Sequence, residues 1–219
     1  MSEGLTFIFD LDGVIVDSNP VHVQVWEEYL RRQGISVDRT LPDLMYGRRN
    51  DDIVRDLIGD HLTPEEVFAH GAAKEALYRD VMKAQLARRL VPGISTFLSR
   101  HADILTGLAT NAEPANAEFV LNESGLRRYF PVIVDGQQVA RPKPDPEVYL
   151  RAARLLGRPP RDCVVFEDSV AGVQAGRAAG TRVVALTTTH ASFPEADLVV
   201  ENFLSPELEP WIERLPEKR

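Results

Sequence analysis

Carboxylates in this sequence recur where a chain would put chemistry. Asp10 and Asp12 stand in DLDGV, at the end of the apolar run LTFIFD. Glu167 and Asp168, with Ser169, end the run CVVFED. Thr110 and Asn111 follow DILTGLA, and Lys143 sits between two prolines in ARPKPDPEVY, just ahead of a helical pattern. Four carboxylates brought together repel one another unless a cation lies among them. An oxygen-only ligand set favours a hard ion, Mg2+. Lys143 and Thr110 then suit an anion that also touches the metal, and phosphate meets every requirement. A carboxylate can attack phosphorus to give an aspartyl phosphate. The metal and the lysine would offset charge on the transferring group. Asp12, across an extended turn from Asp10, could protonate the leaving oxygen and later deprotonate an attacking water.

These residues need a scaffold that gathers them. The runs at residues 5–10, 103–110, 131–135, 163–168, 182–188 and 196–203 are short, apolar and rich in β-formers. Helical patterns at 114–124, 146–156 and 170–179 each lead to a glycine, the usual stop. Strands alternating with such helices imply an α/β fold, a doubly wound parallel sheet covered on both faces. In such a sheet ligands bind beyond the carboxyl ends of the strands, where all the residues named above fall.

Residues 17–87 break the alternation, being helical in pattern with no strand. Asn19-Pro20 starts a helix that Gly34 stops, with His22, Val25, Trp26, Tyr29 and Leu30 on one face. Thr63-Pro64-Glu65-Glu66 is a capping box opening a long helix towards Leu86, with a bend expected near Gly71. The expected organisation is a catalytic core of residues 1–16 and 88–219 with a helical cap, 17–87, inserted between its first two motifs. The tail after Pro206 reads as loosely packed.

Composition narrows the class. Across 219 residues, 44% are hydrophobic and the net charge is −8, values that suit a soluble globular protein and argue against a nucleic-acid or lipid-surface binder. No apolar run reaches the roughly 18 residues of a membrane span. Cys163 is the sole cysteine, so neither a disulfide framework nor a multi-thiolate zinc site is available, and a cytoplasmic location is the default. The N-terminal residues lack the pattern of a secretion signal. A monomer is the simplest expectation, although nothing in the sequence fixes the oligomeric state.

The motifs DLDGV, LATN (108–111), RPKPDPEVY (141–149) and FEDSVAGVQAGRAAG (166–180), in this order, resemble the haloacid dehalogenase (HAD) superfamily, closest to its β-phosphoglucomutase-like, sugar-phosphatase branch. The resemblance covers nearly the whole chain. It implies a Rossmann-like core with a helical cap, Asp10 as nucleophile and Asp12 as acid/base. It also implies that Thr110, Asn111 and Lys143 hold the phosphoryl group. Mg2+ would be held by Asp10, the Asp12 carbonyl and Asp168, with Glu167 binding directly or standing behind. Asp12 sets the chain apart from the dehalogenases of the superfamily, and DLDGV differs from the P-type ATPase motif.

The expected activity is Mg2+-dependent hydrolysis of a small phosphomonoester, a sugar phosphate. The alternative is a phosphomutase of the β-phosphoglucomutase type, against which stand Thr110-Asn111 in place of small residues and Tyr46 in place of a lysine. A non-catalytic regulator would have no reason to keep the repulsive carboxylates.

Cap residues His22, Arg48, Arg49 and Lys74 are candidates for substrate specificity. For each an ordinary structural role stands open: a packed histidine, a solvated charge run in Gly47-Arg48-Arg49-Asn50, or, for Lys74 and Tyr78, plain helix surface. Thr110-Asn111 and Ser169 could also cap helices. Gly172, Gly176 and Gly180 read as a packing stripe, since no G-x-G-x-x-G follows a strand. Cys163 reads as an inert core thiol.

Overall fold

The computed structural model describes residues 4–36, 41–45 and 48–215. Six strands form one parallel sheet in the order β3-β2-β1-β4-β5-β6. They are β1 (Thr6–Phe9), β2 (Leu105–Ala109), β3 (Val132–Val134), β4 (Cys163–Glu167), β5 (Arg182–Leu186) and β6 (Leu198–Val200). The order reverses at β1, which places a crevice at its carboxyl end. Phe9 pairs in register with Leu108 on one side and Phe166 on the other. Asp10, Thr110 and Glu167 therefore reach the same edge.

The helices, in chain order, are α1 (Asn19–Arg32), α2 (Leu41–Met45), α3 (Asn50–Leu57), α4 (Pro64–Lys83), α5 (Leu86–Arg89), α6 (Ile94–Arg100), α7 (Pro114–Glu123), α8 (Glu147–Leu155), α9 (Val170–Ala179) and α10 (Leu208–Glu213). Strand alternation divides the core. Phe7, Phe9 and Phe166 pack with α6, α7 and α10, while Ile8, Val165 and Val183 pack with α8 and α9. Continuous apolar strands are thus buried on both faces, as a doubly wound parallel sheet requires. Phe9 and Phe166 stack at 4.7 Å, which locks the pair of strands whose next residues are Asp10 and Glu167.

Helices α1 to α4 share a separate core of Trp26, Tyr29, Leu30, Leu41, Met45, Ile53, Val54 and Val67. The chain enters and leaves this segment side by side. Val16 bridges Leu90, the Asp17 N–H donates to the Arg89 carbonyl at 2.7 Å, and the Arg89 guanidinium pairs with Asp17 at 2.9 Å.

Four expectations need correction. The tail up to residue 215 is not loose: Leu208 and Ile212 of α10 are buried in the cluster that also holds Val200 of β6. Helix α4 runs unbroken through Gly71, where a Cβ would sit at van der Waals contact, 3.4 Å from that of Asn50 in α3. Gly180 is not part of a packing stripe but the left-handed cap of α9, at φ 81° with open space around it. Thr110 and Asn111 do not cap α7, since Glu113 occupies that position. Ser169 does cap α9, accepting from the Gly172 N–H at 3.0 Å. Tyr46 and Gly47 lie outside the described residues. No helix among the described residues is long and apolar enough to cross a membrane.

Candidate active site

One cavity of about 460 Å3 opens at the carboxyl edge of the sheet, beneath α1, α3 and α4. Asp10, Asp12, Thr110, Asn111, Lys143 and Asp168 line it from the sheet side. His22, Arg48, Arg49 and Lys74 line it from the helical segment. Glu167 lies one layer deeper and is fully buried.

Lys143 organises the floor. Its ammonium donates to Asp10 Oδ1 and Glu167 Oε1, each at 2.6 Å, and to the Ala109 carbonyl at 3.1 Å, and it lies 4.8 Å from the Tyr149 ring. Burial opposes its charge, but the two carboxylates win and hold its pKa above the ordinary lysine value. Glu167 is fully engaged: Oε1 also accepts from the Tyr149 hydroxyl at 2.6 Å, and Oε2 from the Asp168 and Ser169 N–H groups at 2.9 and 3.1 Å. Burial raises its pKa, yet Lys143 and these donors hold it below the usual range. Gly172 makes room for it, since a Cβ there would come within 1.8 Å of Glu167 Oε1.

Asp10, Glu167 and Asp168 each offer an oxygen within 4.8 Å of the others. Asp168 Oδ2 accepts from the Asn19 amide at 3.2 Å and from the Thr189 hydroxyl. Burial lifts the Asp10 pKa to about 7 despite Lys143, and burial together with Glu167 and Asp10 pushes Asp168 well above its ordinary value. Three buried carboxylates facing one ammonium are short of positive charge, and the donors are all oxygen. This set fits a hard divalent cation such as Mg2+. Gly13 supports the same reading: a Cβ there would lie 1.8 Å from Asp168 Oδ2, so only glycine lets the first loop close on this carboxylate.

Asp12 turns away from the trio. Its Oδ1 accepts from the Ser18 hydroxyl and faces His22 Nε2 at 3.5 Å. Burial raises its pKa, but His22 and Ser18 together bring it below the ordinary value. The His22 ring stacks on Tyr78 at 3.9 Å, and its Nδ1 meets the Lys74 ammonium at 2.7 Å. Lys74 and Tyr78 are therefore not helix surface: both are buried. Lys74 pairs with Glu75 at 2.7 Å. Glu75 accepts in turn from the amides of Asn50 (2.8 Å) and Asn116 (2.6 Å), the second across the boundary to the sheet-bearing core. Arg48 is drawn to Asp56 at 2.7 Å, and Arg49 donates to the Val139 carbonyl at 2.9 Å.

Sequence reasoning missed Asn19, Thr189, Tyr149, Glu75 and Asn116. Thr189 had a usable signal, since it follows β5 at the same edge as the other loops. The rest are brought in by contacts between residues far apart in the chain.

Burial alone would raise the Glu75 pKa, but Lys74, His22 and Asn116 hold it at about 2, against 4.5 in an ordinary glutamate. A depressed carboxylate stabilises the fold above its unfolded pKa, and that contribution fades as pH falls from 4.5 towards 2. The shift corresponds to about 3 kcal/mol. Glu75→Gln is therefore expected to lower Tm at pH 7, with the gap to wild type closing as the pH is lowered through that window. Thermal melts across the acid range check this.

The haloacid dehalogenase-like hydrolase family matches residues 5–180. Fructose-1-phosphate phosphatase YqaB of Escherichia coli is 33% identical over 179 residues, covering 81% of this chain and 93% of that protein. Bifunctional riboflavin kinase/FMN phosphatase of Arabidopsis thaliana is 31% identical over 213 residues, 93% of this chain. The chain spans about half of that longer relative, 55%. The crystal structure of β-phosphoglucomutase from Clostridium difficile superposes with a TM-score of 0.82 at 26% identity, covering 96% of this chain and all of that one. Both the motifs at the strand ends and these matches place the chain in the haloacid dehalogenase-like hydrolase family.

Proposed function

We propose that the protein is a Mg2+-dependent phosphatase that hydrolyses a small phosphorylated metabolite, a sugar phosphate, by way of an aspartyl phosphate on Asp10. The observation that carries this is the placement of Asp10: a buried carboxylate at the crevice of the sheet, held by Lys143 at 2.6 Å and grouped with Glu167 and Asp168.

Residues 17–87 serve as the cap and residues 1–16 and 88–219 as the core. Asp10 and Asp168, with the Asp12 carbonyl, would hold the metal. When bound it would offset negative charge on the transferring phosphoryl group. Glu167, its oxygens taken up by Lys143, Tyr149 and backbone N–H groups, stands behind the ligands and fixes Lys143. Lys143, the Thr110 hydroxyl and Asn111 bind the phosphoryl oxygens. An Asp10 oxygen attacks phosphorus, the bond from phosphorus to the ester oxygen breaks, and Asp12, which has first to turn from Ser18 and His22 and take up a proton, gives that proton to the oxygen. Asp12 then takes a proton from water, whose oxygen attacks phosphorus, so that inorganic phosphate leaves and Asp10 is regenerated. The cap helices exclude bulk water from the acyl phosphate until this step.

The mutase alternative shares the same core and finds support in the likeness to β-phosphoglucomutase. It requires a firm site for a second phosphoryl group in the cap, for which the candidates are Arg48, paired with half-exposed Asp56, and Arg49. A phosphate-release screen over phosphomonoesters with Mg2+, run beside an isomerisation assay on β-glucose 1-phosphate primed with glucose 1,6-bisphosphate, separates the two. Phosphate release that stops in excess EDTA is expected. Rapid isomerisation with little phosphate release would make the protein a mutase.

A further inference from the structure

The helical segment contributes three cations to the cavity, each with at least one partner, though Arg49 Nε is buried without an acceptor. Arg48 pairs with Asp56 and Arg49 donates to the Val139 carbonyl, 2.7 and 2.9 Å away. Lys74 is the most deeply set of the three, 1% exposed. Its ammonium lies 2.7 Å from Glu75 Oε1, and Glu75, 3% exposed, also lines the cavity. The two Asn amides hold both Glu75 oxygens, so an incoming anion cannot simply swing this carboxylate aside. Lys74 holds the Glu75 pKa far down although burial opposes it, so this carboxylate stays ionised through the neutral range. Asp51 and Glu113 add further negative charge to the same wall. A second phosphoryl group in this half of the cavity would meet no net positive charge, whereas hydroxyl groups can bond to both members of a neutral ion pair.

We propose that Glu75 is a specificity-determining residue. By neutralising Lys74 at the cavity wall it makes the site accept phosphomonoesters with an uncharged polyhydroxyl body and reject bisphosphates. The proposal rests on the reading of Asp10, Thr110 and Lys143 as the place where the single phosphoryl group sits.

Binding to the Asp10→Asn protein with Mg2+ present tests it without relying on turnover. Calorimetric titrations with fructose 1-phosphate and fructose 1,6-bisphosphate are expected to show the monophosphate bound at least about 10-fold tighter. Adding Glu75→Gln, which keeps the shape and removes the charge, is expected to cut that ratio by about 10-fold or more, mainly through tighter binding of the bisphosphate. Asn116→Ala removes one of the two amides that hold Glu75 but keeps the charge, and should lower the ratio by less than Glu75→Gln does. Should Glu75→Gln not fold, Lys74→Met supplies the converse result, a wider preference for the monophosphate. The proposal is overturned by an unchanged ratio in Glu75→Gln, by a background that favours the bisphosphate or binds neither ligand, or by an equal shift in Asn116→Ala. Failure of the hydrolase reading looks different: the wild-type protein would release phosphate from no phosphomonoester while the binding ratios stood.

Discussion

Asp10→Asn is expected to release phosphate at least about 10^3-fold more slowly than the wild-type chain, while its metal-free melting temperature holds or rises. The two effects have one cause. Asp10 is a carboxylate kept dry at the head of β1, and burial lifts its pKa to about 7 even with Lys143 at 2.6 Å. A raised carboxylate pKa means that folding disfavours the charged form, so stability is lost as pH rises from 3.8 towards 7. An amide of the same shape removes that cost and removes the nucleophile with it. Parallel phosphate-release assays and melts at pH 8 check both effects. A stable variant that still turns over at the wild-type rate would take Asp10 out of the chemistry.

Lys143→Met should behave in the opposite way, losing activity and stability together. The ammonium is the cation that joins Asp10, Glu167 and the Ala109 carbonyl. Removing it strands two buried carboxylates, at a cost of about 3–5 kcal/mol. It also removes a donor to the transferring phosphoryl group, for which a further loss of about 10^2–10^3-fold in kcat is expected. Mg2+ should raise the Tm of this variant more than that of the wild type, because the bound cation takes over part of the missing charge. Equal Tm shifts on adding Mg2+ would mean that the metal does not share the carboxylates with Lys143.

Much of this site was legible because parallel sheets impose simple bookkeeping on their loops. An apolar run that ends in Asp10, another in Thr110 and a third in Glu167-Asp168 must bring those residues to one edge once the strands are neighbours in register, as they are. What the sequence did not reveal depends on contacts that no local pattern encodes. Asn19 meets Asp168 across 149 positions and Asn116 meets Glu75 across 41. Lys74 read more readily as helix surface than as cleft because α4 has charged residues on several faces, and only packing beside Trp26 and Tyr78 decides that it is buried. Arg48 and Arg49 were visible as a pair, but their partners, Asp56 and the Val139 carbonyl, were not. Helices α6 and α10 were missed for a different reason. At seven and six residues they are too short for helical periodicity to rise above chance, and packing on the sheet supplies their stability.

The central claim is that phosphoryl transfer passes through the Asp10 carboxylate. Borohydride quenching during turnover at saturating substrate, followed by peptide mass spectrometry, tests it most directly, since borohydride reduces an acyl phosphate to an alcohol. Homoserine at position 10, dependent on substrate and Mg2+, is the expected result. An unmodified Asp10 in protein quenched while it is turning over, or the reduced product at another residue, would contradict it.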